Sequence, residues 1–158
     1  MKNKILNPHL IMVVASVLAF GGTVLSVSEN PDKPDPITGT WNCIVPPGGG
    51  LPQVNVIKNI HAGGTMIEID NAAPPSQESP SVGNWIRTGS RSYEATLEQL
   101  SFDAAGSFAG TFHYTNPLTL ARSNNNMEGT FQFTFVDPSG NVLASGEGTV
   151  SCTRLGSN

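Results

Sequence analysis

The chain has 158 residues and carries 12 acidic and 8 basic side chains, which gives a net charge of −4 at pH 7. This acidic balance argues against binding to nucleic acid or to an anionic membrane surface through charge. The length is sufficient for one domain with a hydrophobic core.

The first predicted element is a targeting segment. An uncharged apolar run at 10–20 follows a short stretch with two lysines, and small residues come after it. This order is typical of a secretory signal peptide, which we place at residues 1–28, with cleavage after Ser28 or, alternatively, after Ser26. The other interpretation is an uncleaved anchor, because the apolar segment is nearly long enough to span a bilayer. Either way the protein is predicted to be exported, as a secreted or periplasmic protein.

The next segment, 29–37, alternates proline with charged residues and is predicted to be an extended linker. Removing residues 1–28 from the 158 leaves 130 residues with 6 basic and 12 acidic side chains, a net charge of −6. The folded domain is then predicted to cover 38–155. No membrane contact beyond the signal segment is expected, and the sequence identifies no protein partner.

The domain itself is predicted to be all-β, because it has no helical periodicity and consists of short alternating runs separated by turn residues. In MEGTFQFTFVD, for example, Phe131, Phe133 and Phe135 share one face. In the fifth strand the apolar residues change face near Gln99, which predicts a β-bulge or a coiled strand end there. The eight predicted strands lie at roughly 38–45, 54–60, 65–70, 82–88, 92–102, 107–116, 127–136 and 141–153.

The two cysteines, Cys43 and Cys152, fall on the first and the last predicted strand. In an exported chain with two cysteines a disulfide is the expected assignment. Eight sequential antiparallel strands whose ends are bridged in this way predict a closed up-and-down barrel, which also removes exposed sheet edges.

An up-and-down barrel places its loops on two rims. We call the rim with loops 46–53, 71–81, 103–106 and 137–140 the long-loop rim, and we call the opposite one, which carries the chain ends, the chain-end rim. The long-loop rim collects acidic residues and is predicted to be the open mouth, whereas the chain-end rim collects basic residues. Arg91, in a tight turn of the chain-end rim, is expected to be solvated.

The triplet Gly39-Thr-Trp41 on the first strand, with Arg154 just after the last, resembles the lipocalin and wider calycin pattern. The resemblance implies an eight-stranded barrel that holds one small apolar ligand, with the arginine packed over the tryptophan. The run Gly-x-Trp-x-Arg-Thr-Gly-x-Arg-x-Tyr from Gly83 to Tyr93 also resembles a run in small secreted bacterial proteins of unknown function.

The leading functional prediction is binding of a small, largely apolar ligand inside the barrel. Arg87 has two interpretations: it fixes an anionic group of the ligand, or it stacks on Trp85 or Tyr93 and holds the hairpin. The alternative function is a structural or protein-interaction module whose barrel is filled by its own side chains. The predicted ligand-lining residues are Trp41, Trp85, Arg87, Tyr93, Phe112, Tyr114, Phe131 and Phe133.

Catalysis is not indicated by any motif. His61 lies in a predicted turn and His113 on an outward face, and no Gly-x-Ser-x-Gly sequence occurs. The sequence therefore predicts neither catalytic residues, nor a metal site, nor a cofactor. Glu68 and Asp70 alternate with isoleucines and are expected to form a solvated strand face. A cyclase or isomerase that works by the shape of the barrel interior is the third alternative, since it needs no motif.

Overall fold

The computed structural model describes residues 33–48 and 52–156, so the predicted signal peptide and the start of the linker lie outside the described residues. The described part is a closed barrel of eight antiparallel strands in sequential order. The prediction of an all-β up-and-down barrel is confirmed. The strands are β1 (Gly39–Val45), β2 (Val54–Ile60), β3 (Thr65–Asp70), β4 (Ser81–Arg87), β5 (Ser92–Phe102), β6 (Phe108–Leu120), β7 (Asn126–Val136) and β8 (Val142–Arg154).

Closure of the barrel is made by β1 and β8, which pair over four residues, from Trp41 opposite Arg154 to Ile44 opposite Ser151. Cys43 and Cys152 are opposite each other in this register and form the predicted disulfide. Longer loops connect β1 to β2 and β3 to β4, and short turns join the other consecutive strands. In two of the short turns an aspartate side chain, Asp103 or Asp137, accepts backbone N–H groups of its own turn. These turns need only local sequence, which is why the strand order follows the chain.

Two local predictions about strands are wrong. The apolar residues of β5 do not change face at Gln99: Gln99 is buried, Leu100 is 44% exposed, and the register shift lies between Ser101 and Phe102. β6 also does not end before Pro117 but continues to Leu120. Pro117 is tolerated because it is paired only with Glu94 of β5, while the register with β7 omits it.

The barrel interior differs between its two ends. The half near the chain-end rim, called here the chain-end half, is filled by tightly packed side chains. Residue Ile37, from the predicted linker, is fully buried there. The half near the long-loop rim, called here the long-loop half, is bounded by the parts of the eight strands that lie nearest that rim. The side chains that fill the chain-end half, each at most 2% exposed, include Ile37, Trp41, Ile60, Met66, Tyr93, Leu120 and Met127.

Candidate functional site

The eight predicted lining residues separate into two groups. Trp41, Trp85 and Tyr93 are buried in the chain-end half, where neighbouring side chains surround them. The other four aromatic residues point into the long-loop half and are only partly buried. Among the predicted aromatic lining residues, the second group, which consists of Phe112, Tyr114, Phe131 and Phe133, therefore keeps more exposed surface than the first.

Arg87 belongs to the chain-end half, where its partner is an acidic residue of the same chain. Its Nε lies 3.2 Å from Asp35 Oδ2, and its guanidinium lies 5.6 Å from the centre of the Tyr93 ring. The Tyr93 hydroxyl donates to Asp35 Oδ1 at 2.8 Å, and burial raises the pKa of this tyrosine. This geometry matches the interpretation in which Arg87 holds the hairpin, and it leaves the anion-binding interpretation without support.

Two other arginines hold the chain-end rim together. Arg154 lies over the Trp41 ring at 4.2 Å and donates to the Thr38 carbonyl at 2.6 Å, which is the arginine–tryptophan contact that the calycin resemblance implies. Arg91 donates to the Leu120 carbonyl at 2.8 Å and to further acceptors in the β6–β7 turn. The expectation that Arg91 is a solvated turn residue is therefore wrong.

The long-loop half has an apolar side formed by phenylalanines that lie flat against the barrel wall. Phe131 and Phe133 are opposite Gly148 and Gly146 of β8, and a Cβ on either glycine would meet the facing ring at 2.7 or 2.6 Å. Because glycine leaves room, each ring covers the neighbouring strand instead of filling the centre of the barrel. We call the set Phe112, Phe131, Phe133 and Phe135 the phenylalanine wall.

Three members of the wall, Phe112, Phe133 and Phe135, are held by ring-to-ring packing. Phe112 lies 4.6 Å from Phe135 and 5.9 Å from both Tyr114 and Phe133, measured between ring centres. Offset and tilted arrangements at these separations are the favourable ones for aromatic pairs. The wall is therefore a preformed apolar surface.

Opposite this apolar surface lies a polar belt that was not predicted. Lys58 is 2% exposed, and its ammonium donates to the Glu68 carboxylate on the neighbouring strand. It also donates to the Asn116 side-chain oxygen at 3.2 Å when that amide is oriented to satisfy its partners. The expectation that Glu68 lies on a solvated face is wrong: Met66 and Glu68 are buried, whereas Ile67 and Ile69 are exposed.

Nearer the long-loop rim, the belt continues as a chain of hydrogen bonds. The Tyr114 hydroxyl donates to Gln99 Oε1 at 3.0 Å, and Gln99 Nε2 donates to the Ser79 carbonyl at 3.1 Å and lies 3.5 Å from Glu78 Oε2. Burial, and then the charge of Asp70, raise the pKa of Glu78 above its usual range. Burial also raises the pKa of Tyr114, with smaller contributions from nearby carboxylates.

The sequence contained a signal for one of these belt residues but not for the other. In VNVIKNI, Lys58 shares its face with Val54, Val56 and Ile60, so strand alternation places it inside. In TMIEID one face carries Met66, Glu68 and Asp70, and the other carries a threonine and two isoleucines. Hydrophobicity alone predicts that the isoleucine face is buried, which is the wrong face. The register between β2 and β3 determines which face of β3 points inward, because it places Glu68 opposite the buried Lys58.

A second depression lies on the outside of the barrel. It is an open groove of about 470 Å³, lined mostly by outward residues of β6, β7 and β8 such as His113, Gln132 and Glu147, and also by Phe133 and Gly146. His113 Nδ1 lies 3.2 Å from Glu98 Oε1, and both side chains are exposed, as predicted for His113. His61 is exposed in its turn as well. Most of the side chains that line this groove are polar.

Comparison of the chain with family models, curated proteins and solved structures finds no match in any of the three. Within residues 33–48 and 52–156, no helix is long and apolar enough to cross a membrane. The same residues include no group of three or more histidine, cysteine, aspartate or glutamate side chains placed to hold a metal ion.

Proposed function

We propose that the protein is an exported, lipocalin-like barrel that binds a small, largely apolar ligand in its long-loop half. The observation that carries this proposal is the phenylalanine wall, whose residues lie at inward-facing strand positions and are only partly buried. Apolar surface that faces a concave space and lies beside a few polar groups is the usual composition of a small-molecule site.

Export is proposed on two grounds. The apolar segment near the N-terminus has the order of a signal peptide. The disulfide between Cys43 and Cys152 forms and persists in an oxidising compartment, which for an exported chain is the periplasm or the exterior. Both grounds favour a secreted or periplasmic protein.

The binding proposal is tested by titrating the mature protein with decanol and following the heat of binding. We expect saturable binding that weakens at least about tenfold, or 1.4 kcal/mol, in the double variant Phe112→Ala, Phe133→Ala, because the wall loses two of its rings. The matched control is Ile86→Ala, which removes an apolar side chain from the outer face, where Ile86 is 61% exposed. No binding by the wild type, or equal losses in both variants, would reject the proposal.

A second candidate function is interaction with another protein through the outer surface, with the barrel interior filled. One observation favours it: β-branched residues are exposed across the outer face of β2, β3 and β4, and in the register Ile57 is opposite Ile69 and Ile67 is opposite Val82. These four side chains are 40–58% exposed, and contiguous apolar surface of this kind is typical of interaction sites.

This second function is tested by the mass of the protein in solution. If this function is correct, light scattering shows the wild-type protein in a complex, either with itself or with a partner added from its host. The variant Ile69→Lys then dissociates the complex, and decanol does not bind. A monomer that binds decanol and is unaffected by Ile69→Lys would favour the interior site instead.

A further inference from the structure

The long-loop half of the interior carries an uncompensated negative charge. Its inward-facing ionisable groups include three carboxylates, of Glu68, Asp70 and Glu78, and one ammonium, of Lys58. The ammonium is bound to Glu68, so that pair is neutral. Asp70 and Glu78 have no cationic partner among the described residues. The raised pKa of Glu78, due to burial and to Asp70, reflects the same imbalance.

A buried hydroxyl without a partner lies in the same region. Ser81 is opposite Glu68 in the β3–β4 register, so it points into the barrel, and it is 0% exposed. Its Oγ has no hydrogen-bond partner among the described residues. Since buried polar groups in proteins are nearly always hydrogen-bonded, this hydroxyl is an unsatisfied polar group on the inner face of the barrel.

The third observation is the phenylalanine wall together with Tyr114, whose hydroxyl joins the polar belt through Gln99. Aromatic rings attract cations through their electron-rich faces as well as apolar chains through their area. A ligand between the belt and the wall would therefore meet carboxylates on one side and ring faces on the other.

We propose that the ligand is a cationic amphiphile, an alkylamine or alkylammonium whose cationic group lies between Asp70 and Glu78 and whose chain lies on the phenylalanine wall. This inference rests on the proposed function, because it names the chemical class that the same interior site takes. The ligand's cationic group supplies the charge that the two carboxylates lack. Where that group is a primary amine, it can also donate to Ser81 Oγ.

The alternatives fit the site less well. A fatty acid would place its carboxylate beside Asp70 and Glu78, and the ammonium that could receive it, Lys58, is already paired with Glu68. A metal ion would need further ligands, and the described residues contain no group of carboxylates, histidines or cysteines that could supply them. A neutral chain would leave the two carboxylates facing each other without a counter-charge.

The test compares four probes with the same ten-carbon chain and different head groups: decyltrimethylammonium, decylamine, decanol and decanoate. Each is titrated into the mature protein by calorimetry, below the concentration at which the probe forms micelles. The salt concentration is about 150 mM, so that long-range attraction to the acidic protein is screened. We expect both cations to bind at least about tenfold more tightly than decanol, and decanoate to bind most weakly.

Two variants locate the effect. Asp70→Asn with Glu78→Gln removes the two carboxylates and keeps their size, and the amide oxygen introduced in place of the Asp70 carboxylate can still accept from the Ala72 N–H. The control is Glu94→Gln with Glu128→Gln, which removes the same charge from exposed outward positions. We expect the first variant to bind the cations about tenfold more weakly and decanol unchanged, and the control to bind all probes as the wild type does.

The outcomes separate the two proposals. If decanol binds but the cations bind no more tightly, or decanoate binds best, the cationic ligand is rejected while the apolar site stands. If the cations bind more tightly but the control loses as much affinity as the first variant, the attraction comes from overall charge, and the inference is again rejected. If no probe binds, the interior site is rejected and the inference falls with it.

Discussion

At the scale of single residues, the ion pair of Lys58 and Glu68 is the most demanding feature of the barrel, with side-chain exposures of 2% and 8%. Removing one partner leaves a buried charge unpaired, which destabilises a protein by about 3–5 kcal/mol. We therefore expect Lys58→Met and Glu68→Gln each to lower the free energy of unfolding by about this amount, measured by urea denaturation.

The double variant Lys58→Met, Glu68→Gln is the informative comparison for this pair. Neither charge remains in it, so we expect it to be more stable than either single variant. Glu94→Gln, on the exposed face of β5, serves as the control and should change stability by less than about 0.5 kcal/mol. A double variant whose loss is the sum of the single losses would show that the two residues do not stabilise each other.

Glu78 gives a prediction about pH. Its pKa in the folded protein is raised above the usual 4.5, first by burial and then by Asp70, so folding favours the protonated form. The ionised carboxylate consequently destabilises the fold at pH values above its folded pKa, and this effect disappears below pH 4.5, where the group is protonated in both states.

We therefore expect Glu78→Gln to have a higher urea midpoint than the wild type at pH 7 and the same midpoint at pH 4. The matched control is Glu128→Gln, which lies on the exposed face of β7 and should not show this pH-dependent difference. A Glu78→Gln variant that is less stable than the wild type at pH 7 would mean that the carboxylate is stabilised in the fold by contacts stronger than its burial.

At the scale of strands, two inward glycines allow close packing for different reasons. A Cβ on Gly83 would meet the Thr96 carbonyl oxygen at 1.9 Å, and this backbone of β5 cannot move without breaking its pairing. For a Cβ on Gly146 the three nearest atoms all belong to the Phe133 ring, which can rotate. We expect Gly83→Ala to destabilise by about 3 kcal/mol or more and Gly146→Ala by about 1 kcal/mol, measured by urea unfolding.

The same pair of variants reports on the proposed site. Gly146→Ala pushes the Phe133 ring away from the wall, so decanol affinity should fall although the protein remains folded. If the two alanine variants lowered the free energy of unfolding equally, the β5 backbone would move as easily as the Phe133 side chain. That result would contradict the expectation that strand pairing holds the backbone in place.

The strands also show how far sequence reasoning extends. The bounds of most strands were predictable, because alternation and turn residues are local properties. The face that points into the barrel was predictable in β7, because three phenylalanines share it. It was not predictable in β3, where Met66 and Glu68 lie inside although two isoleucines lie outside. That choice depends on Lys58 of the neighbouring strand, and pairing between strands is not a local property.

At the scale of the whole molecule, the order of strands, the closure and the grouping of loops on two rims followed from an even count of sequential strands. The difference between the two halves of the interior did not follow from it. All eight predicted lining residues except Arg87 are aromatic, yet Trp41, Trp85 and Tyr93 are buried, because Ile37 and the strands near the chain ends fill that half. Phe112, Tyr114, Phe131 and Phe133 are only partly buried.

Closure of the barrel gives the last prediction. β1 and β8 pair over only four residues, and the bridge between Cys43 and Cys152 spans a sequence separation of 109. In the chain-entropy model, a bridge that closes a loop of this length stabilises the folded state by about 4–5 kcal/mol. We expect Cys43→Ala with Cys152→Ala to lower the unfolding free energy by about that amount and Tm by on the order of 15 °C.

Calorimetry of the double variant, beside wild-type protein with and without reductant, makes the comparison. Reduced wild type should unfold near the temperature of the double variant, because both have lost the same constraint on the unfolded chain. Decanol binding should persist in the double variant at low temperature, since the phenylalanine wall lies on β6 and β7 rather than on β1. If Tm did not change, the four-residue pairing of β1 with β8 would be sufficient to close the barrel without the bridge.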